Sequence, residues 1–175
     1  MKTFKSAHYL TVNTLAFVAT DTSHLYIYDN AGNLLDQYSL EPGTKIKSVS
    51  TPIHPDDMTM AVLTESDNLY TLKLVITDIF PPGTTDEEKK RSKTSLATHQ
   101  EIGFQAGEEK RVNVRELFKD NVKTDPVFKQ VVSSRARGKM FINVLDSDNF
   151  VTVFHKDSNF IGRYYLGIDS SDPVV

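Results

Sequence analysis

The sequence predicts an all-β fold assembled from about three antiparallel blade-like sheets with one charged insertion. Three observations carry this expectation: a polar turn motif recurs along the chain, short β-prone runs flank each copy, and the spacing suits a small multi-stranded unit.

The recurring motif reads Thr20-Asp21-Thr22-Ser23-His24-Leu25-Tyr26-Ile27-Tyr28, then Thr64-Glu65-Ser66-Asp67-Asn68-Leu69-Tyr70-Thr71-Leu72, then Leu145-Asp146-Ser147-Asp148-Asn149-Phe150-Val151-Thr152-Val153. Each copy is aligned as an acidic residue, a small hydroxyl residue, a polar pair and a strand. Largely apolar runs at 15–19, 60–63 and 140–144 precede the turns. Asp, Ser and Asn hydrogen-bond nearby backbone and tolerate unusual φ, so two β-prone runs joined by them spell a hairpin.

The first and third copies continue to match beyond the hairpin. Gly32-Asn33-Leu34-Leu35-Asp36-Gln37-Tyr38-Ser39-Leu40 corresponds to Ser158-Asn159-Phe160-Ile161-Gly162-Arg163-Tyr164-Tyr165-Leu166. Asn33 and Asn159 fall in tight turns, and Leu34, Tyr38 and Leu40 match Phe160, Tyr164 and Leu166 on one face of a further strand. From Asp21 to Glu65 is 44 residues and from Glu65 to Asp146 is 81, close to one further period plus an insertion. A period of roughly 40 to 45 residues with four strands per unit is that of propeller blades.

On this reading residues 1–175 form a partial β-propeller with units at about 1–40, 41–76 and 127–167, and 77–126 is an insertion containing a short helix. Phe80-Pro81-Pro82-Gly83-Thr84-Thr85 opens the insertion, and the charged run 86–93 follows. Asn113 with Glu116 resembles a capping box, and Val114, Leu117 and Phe118 have helical spacing.

The stretch from Ile46 to Tyr70 resembles a degenerate WD40-type repeat. The residues carrying the resemblance are Ile46, Val49 and Ile53, then His54-Pro55-Asp56-Asp57, then Met60-Ala61-Val62-Leu63, and the turn and strand that end at Tyr70. In the first copy Tyr28-Asp29 stands where the family ends a blade strand with Trp-Asp; the chain has no tryptophan and no Gly-His dipeptide. The resemblance covers 1–76 and 127–167. It implies propeller blades, without the full His, Asp, Ser/Thr and Trp hydrogen-bond network of well-formed WD40 repeats.

Composition narrows the function classes. A hydrophobic share of 39% and a charged share of 25% are ordinary for a globular chain, and a net charge of −3 offers no basic footprint for nucleic acid. With no cysteine, disulfides, thiolate metal sites and a cysteine nucleophile are excluded. No Asn-x-Ser/Thr sequon occurs, which together with the lack of cysteine favours cytosol or nucleus over a secretory lumen; a cytoplasmic location is the expectation, with the nucleus and a secretory lumen as alternatives. Lys2 and Lys5 ahead of the apolar residues 10–19 superficially resemble a signal peptide. Thr11, Asn13 and Thr14 break that run, however, and cleavage after Ala19 would place Phe17 where a small residue is required. No run is long enough to span a bilayer.

Residues that might carry chemistry are better explained structurally. Asp146-Ser147-Asp148-Asn149 begins like a calcium loop, but Phe150 occupies the next ligand position and no downstream glutamate has the required spacing, so a turn is expected. His8, His24, His54, His99 and His155 are scattered, with His54 ordering a blade turn. The basic run 89–93 follows Asp86, Glu87 and Glu88 and reads as a solvated loop, and residues 133–139 read as a charged turn. Tyr26, Tyr28, Tyr38, Tyr70, Phe141, Phe150, Phe154, Tyr164 and Tyr165 fall on strands and are assigned to packing between blades.

No nucleophile elbow, P-loop or dinucleotide fingerprint is present. The expectation is therefore a non-catalytic protein-interaction scaffold, part of a larger propeller protein, with no catalytic, cofactor or metal residues. The alternatives are a propeller enzyme or cofactor binder completed by missing blades, and a luminal or extracellular domain of a membrane protein. Protein partners are expected, including the missing blades or a second copy, because about three blades fall short of the roughly four to eight that close a ring. Nucleic acid and a membrane span are not expected.

Overall fold

The computed structural model describes residues 4–10, 16–92, 99–119 and 124–167. Three antiparallel sheets follow one another along the chain. Blade 1 is the meander β1 (Ser6–Tyr9), β2 (Ala16–Thr20), β3 (His24–Asp29) and β4 (Leu34–Ser39). Blade 2 holds β5 (Ile46–Ser50), β6 (Thr59–Thr64), the long β7 (Asn68–Ile79), β8 (His99–Phe104) and β9 (Lys110–Asn113). Blade 3 is β10 (Phe128–Ala136), β11 (Lys139–Asp146), β12 (Phe150–His155) and β13 (Phe160–Tyr165).

The recurring turns close the hairpins through side chain to backbone bonds. Asp21 Oδ1 accepts from Ser23 N at 3.0 Å and His24 N at 2.8 Å, and Tyr26 OH donates to Oδ2 at 3.0 Å. Burial alone would raise the Asp21 pKa, but the bonds from Ser23, the His24 ring and backbone, and Tyr26 outweigh it and hold the carboxyl at about 2. In blade 3, Asp146 Oδ1 accepts from Asp148 N at 2.8 Å and Phe150 N at 3.2 Å.

The alignment of the second copy needs a one-residue correction. Thr64, rather than Glu65, stands where Asp146 stands: Thr64 Oγ1 accepts from Asn68 N four residues on, as Asp146 Oδ1 does from Phe150 N. The left-handed residues agree, with φ 65° at Asp67 and 62° at Asn149. Matching by charge chose Glu65, whereas the turn requires only an oxygen acceptor, which a threonine hydroxyl also provides. The later part of the match needs no shift. Asp29 N bonds Asn33 O at 3.0 Å and His155 N bonds Asn159 O at 2.9 Å, and the fourth strands β4 and β13 each carry a bulge near that turn, at Leu35 and Ile161.

Residues 77–126 are more integrated than an insertion between blades. β7 runs on to Ile79 and pairs with β8 from Leu74↔Phe104 to Ile79↔His99. The chain then returns so that β9 pairs with the start of β7, from Asn68↔Asn113 to Thr71↔Lys110. β9 thus holds the outer-strand position that β4 and β13 hold in the other blades, and the extra residues lie inside blade 2, between its third and fourth strands. Lys110-Arg111-Val112-Asn113 has one apolar residue, so its alternation could not be read from the sequence.

Two short helical segments flank this arm. The helix α1 (Asp86–Ser92) starts with a reciprocal capping box: Thr85 Oγ1 accepts from Glu88 N at 3.2 Å and Glu88 Oε2 accepts from Thr85 N at 3.0 Å. The signal Thr-x-x-Glu was present in a stretch assigned to solvated loop. Lys93 lies outside the described residues. The second segment, expected as a helix, is a single 3-10 turn (Arg115–Phe118), with Asn113 Oδ1 accepting from Glu116 N at 3.1 Å.

The core follows the stacking of blades. One cluster joins blade 1 to blade 2 through Val18, Leu25, Ile27, Met60, Val62, Tyr70, Leu72 and Ile102. The other joins blade 2 to blade 3 through Ala61, Leu63, Leu69, Phe128, Val131, Ile142, Val144 and Phe154, with Val114 at 0% exposure beneath the 3-10 turn. Every residue of β6 is therefore buried, because alternate side chains face different neighbouring blades.

Candidate interaction surfaces

The first strands of the blades meet along one edge of the stack. Lys47 Nζ donates to Phe128 O at 2.8 Å, Ser48 Oγ accepts from Val131 N at 3.1 Å, and Ser50 Oγ accepts from Ser133 N at 2.8 Å while donating to Ser133 Oγ at 2.6 Å. Regularly spaced hydroxyls on β5 thus satisfy the otherwise unpaired edge of β10. On the opposite side of the stack, Asp36 Oδ2 accepts from Phe104 N at 2.8 Å and ties β4 to β8.

Ion pairs lock the turns of blades 2 and 3. Asp57, nearly buried in the His54-Pro55-Asp56-Asp57 turn, accepts from Lys156 Nζ at 3.0 Å and lies 3.7 Å from Arg135 Nε. Its carboxylate raises the Lys156 pKa through a hydrogen bond and direct attraction. Arg115 does similar work: Nε donates to Asp67 Oδ2 at 2.7 Å, one NH2 group to Pro126 O at 2.7 Å, and the other to Asp125. Asp146 Oδ2 accepts from Arg163 at 2.6 Å, and the guanidinium lies 4.0 Å over the Phe150 ring. Asp146 therefore holds both a turn and the Arg163 guanidinium.

The histidines are dispersed. His8 Nε2 bonds Ser6 Oγ at 3.2 Å, His24 Nδ1 lies 3.0 Å from Asp21, His54 Nδ1 accepts from Asp56 N at 3.1 Å, and His155 stacks on Phe141. The side chain of His99 lies outside the described residues. Among the described residues no three His, Asp or Glu side chains converge as a metal site would require. The segment 133–139 splits in two: through Ala136 it continues β10, and Arg137 and Gly138, with φ 50° and 74°, form the two-residue turn into β11.

The two faces of blade 3 differ sharply. Burial along β11 alternates, with Met140, Ile142, Val144 and Asp146 buried toward blade 2 and Phe141, Asn143 and Leu145 partly open. Register places Val132, Leu145, Val151, Val153 and Tyr164 on the open side. Val132 is 38% and Tyr164 53% exposed. The corresponding residues of blade 2, Leu63 and Leu69 at the same distance from the turn, are fully covered by blade 3. The aromatic residues assigned to packing accordingly divide: Tyr26, Tyr70 and Phe154 are buried, whereas Tyr164 and Tyr165 are exposed.

Comparison with solved structures decides what this stack is. The chain superposes on the Dos1 propeller with a TM-score of 0.53 over 86% of its residues at 14% identity. The chain has a WD40-type β-propeller fold. This propeller also matches the β-propeller domain of Myceliophteria thermophila Cps50 (Swd1), with a TM-score of 0.53, 92% of the chain covered and 10% identity. A third match is the WD40 domain of SCAP from fission yeast, with a TM-score of 0.51, 95% covered and 14% identity. The chain spans only 33%, 42% and 32% of these three structures. No family model and no curated protein matches it. Among the described residues no helix is long and apolar enough to cross a membrane.

Proposed function

We propose that this chain is a non-catalytic protein-interaction scaffold and part of a larger propeller, whose next blade covers the open face of blade 3. The observation that carries this reading is the contrast between Leu69, fully buried by the following blade, and its counterpart Val151, left partly exposed on a face of Leu145, Val153 and Tyr164. β11 is written Met-Phe-Ile-Asn-Val-Leu, a run as continuously apolar as that of β6 apart from Asn143, and such runs suit strands buried on both faces. The share of the matched propellers that the chain spans supports the same reading. Blades stapled to one another by side chains hold their turns rigidly, which suits partner docking on the loop-bearing faces.

The test uses the 175-residue chain. It is expected to bind a hydrophobic dye or to self-associate with rising concentration in light scattering, and Val151→Asp with Val153→Asp should abolish both while circular dichroism is unchanged. A wild-type chain that stays monomeric and binds no dye would overturn the proposal.

A further inference from the structure

At the inner edge of the stack, β1, β5 and β10 enclose a cleft of about 260 Å³. It is lined by the polar residues Lys5, Ser6, His8, Lys47, Ser48 and Gln130, with Thr20, Ile46 and Val49 beside them. Among the described residues no carboxylate lines it, although Asp and Glu outnumber Lys and Arg by 23 to 20 in the whole chain. β1, β5 and β10 contain no Asp or Glu at all. Among the described residues neither Lys5 nor Lys47 has a carboxylate within salt-bridge distance, unlike Arg115, Lys156 and Arg163 at the blade turns.

We propose that this cleft binds a small phosphoryl-type oxyanion. Lys47 spends one N–H on Phe128 O and keeps two further donors. The Ser48 hydroxyl accepts from Val131 N, which leaves its own proton to donate into the cleft. Lys5 is fastened at its backbone, where its N–H bonds Thr20 O at 2.7 Å. His8 Nε2 is bonded to the Ser6 hydroxyl at 3.2 Å, and burial lowers the pKa of the ring. Two lysines and several neutral donors, with no carboxylate among the described lining residues, match the charge and hydrogen-bond capacity of a phosphoryl group and offer a cation no anionic partner. The described lining residues all belong to the three blades.

Titration of the chain with inorganic phosphate and, separately, pyrophosphate at constant ionic strength tests the proposal by calorimetry or amide chemical shifts. Saturable binding is expected, with shifts at Ser48 and Gln130. Lys5→Gln should weaken it by about tenfold with unchanged melting temperature, and Lys47→Gln by a similar factor with a lowered melting temperature, because it also loses the bond to Phe128 O. Lys129→Gln, which removes a cation from the same strand as Gln130 but outside the cleft, should leave it unchanged. Tighter pyrophosphate binding would assign a diphosphate-bearing ligand, and equal affinities a single phosphoryl group. No saturable binding to either anion, or an equal loss with Lys129→Gln, would overturn the proposal.

Discussion

Replacing Leu69 and Val151 separately with alanine measures directly whether a blade is missing beside blade 3. Leu69 is 0% exposed and packs between blades 2 and 3, so Leu69→Ala both removes buried methyl groups and leaves a cavity, a cost of about 3 kcal/mol for a site of this kind. At roughly 2 to 4 °C per kcal/mol for a chain of this size, melting should fall by about 6 to 12 °C. Val151 occupies the matching position one blade later but is only partly covered, so most of its transfer term is absent and no cavity forms. Val151→Ala should cost less than about 1 kcal/mol in the isolated chain. The assay is urea and thermal unfolding of the wild type and both variants. A Val151→Ala loss as large as that of Leu69→Ala would refute the reasoning, since it would mean that the blade 3 face is already sealed.

Asp146→Ala strands the Arg163 guanidinium and two turn amides, so it should cost about 3 to 5 kcal/mol. Adding Arg163→Met should recover part of that loss in a double-mutant cycle, and strict additivity would show that the two do not interact. Because the folded Asp21 pKa of about 2 lies below the ordinary aspartate value of about 3.9, its contribution is complete above that value and is lost as pH falls from about 4 to 2. Melting temperature measured against pH should therefore fall more steeply over this window in the wild type than in Asp21→Asn, and parallel curves would contradict the assignment. Deleting 81–112 removes β8, β9 and the buried Ile102 and should abolish cooperative unfolding, whereas replacing only 83–96 with a short Gly-Ser link should leave it nearly intact. Proteolysis and circular dichroism separate the two outcomes.

Much of the architecture was legible in the primary structure because the determinants are local. Asp21 and Asp146 bond amides within four residues, Asn33 and Asn159 close their own turns, and the apolar runs around them are strand-length. What escaped was held by pairings distant in sequence. β9 is recognisable only because Leu69 lies opposite Val112, and the true alignment of Thr64 only because Asp67 adopts a positive φ there.

The amino-acid sequence by itself determined the repeating hairpins and the all-β class, since turn chemistry and alternation act between near neighbours. Only the tertiary structure decided which face of each strand is covered, where the arm of blade 2 returns, and that Lys5 and Lys47 share a cleft without a counter-charge among the described residues. The physical reason is that burial and electrostatic compensation depend on which surfaces are stacked together, and stacking joins residues that are far apart along the chain.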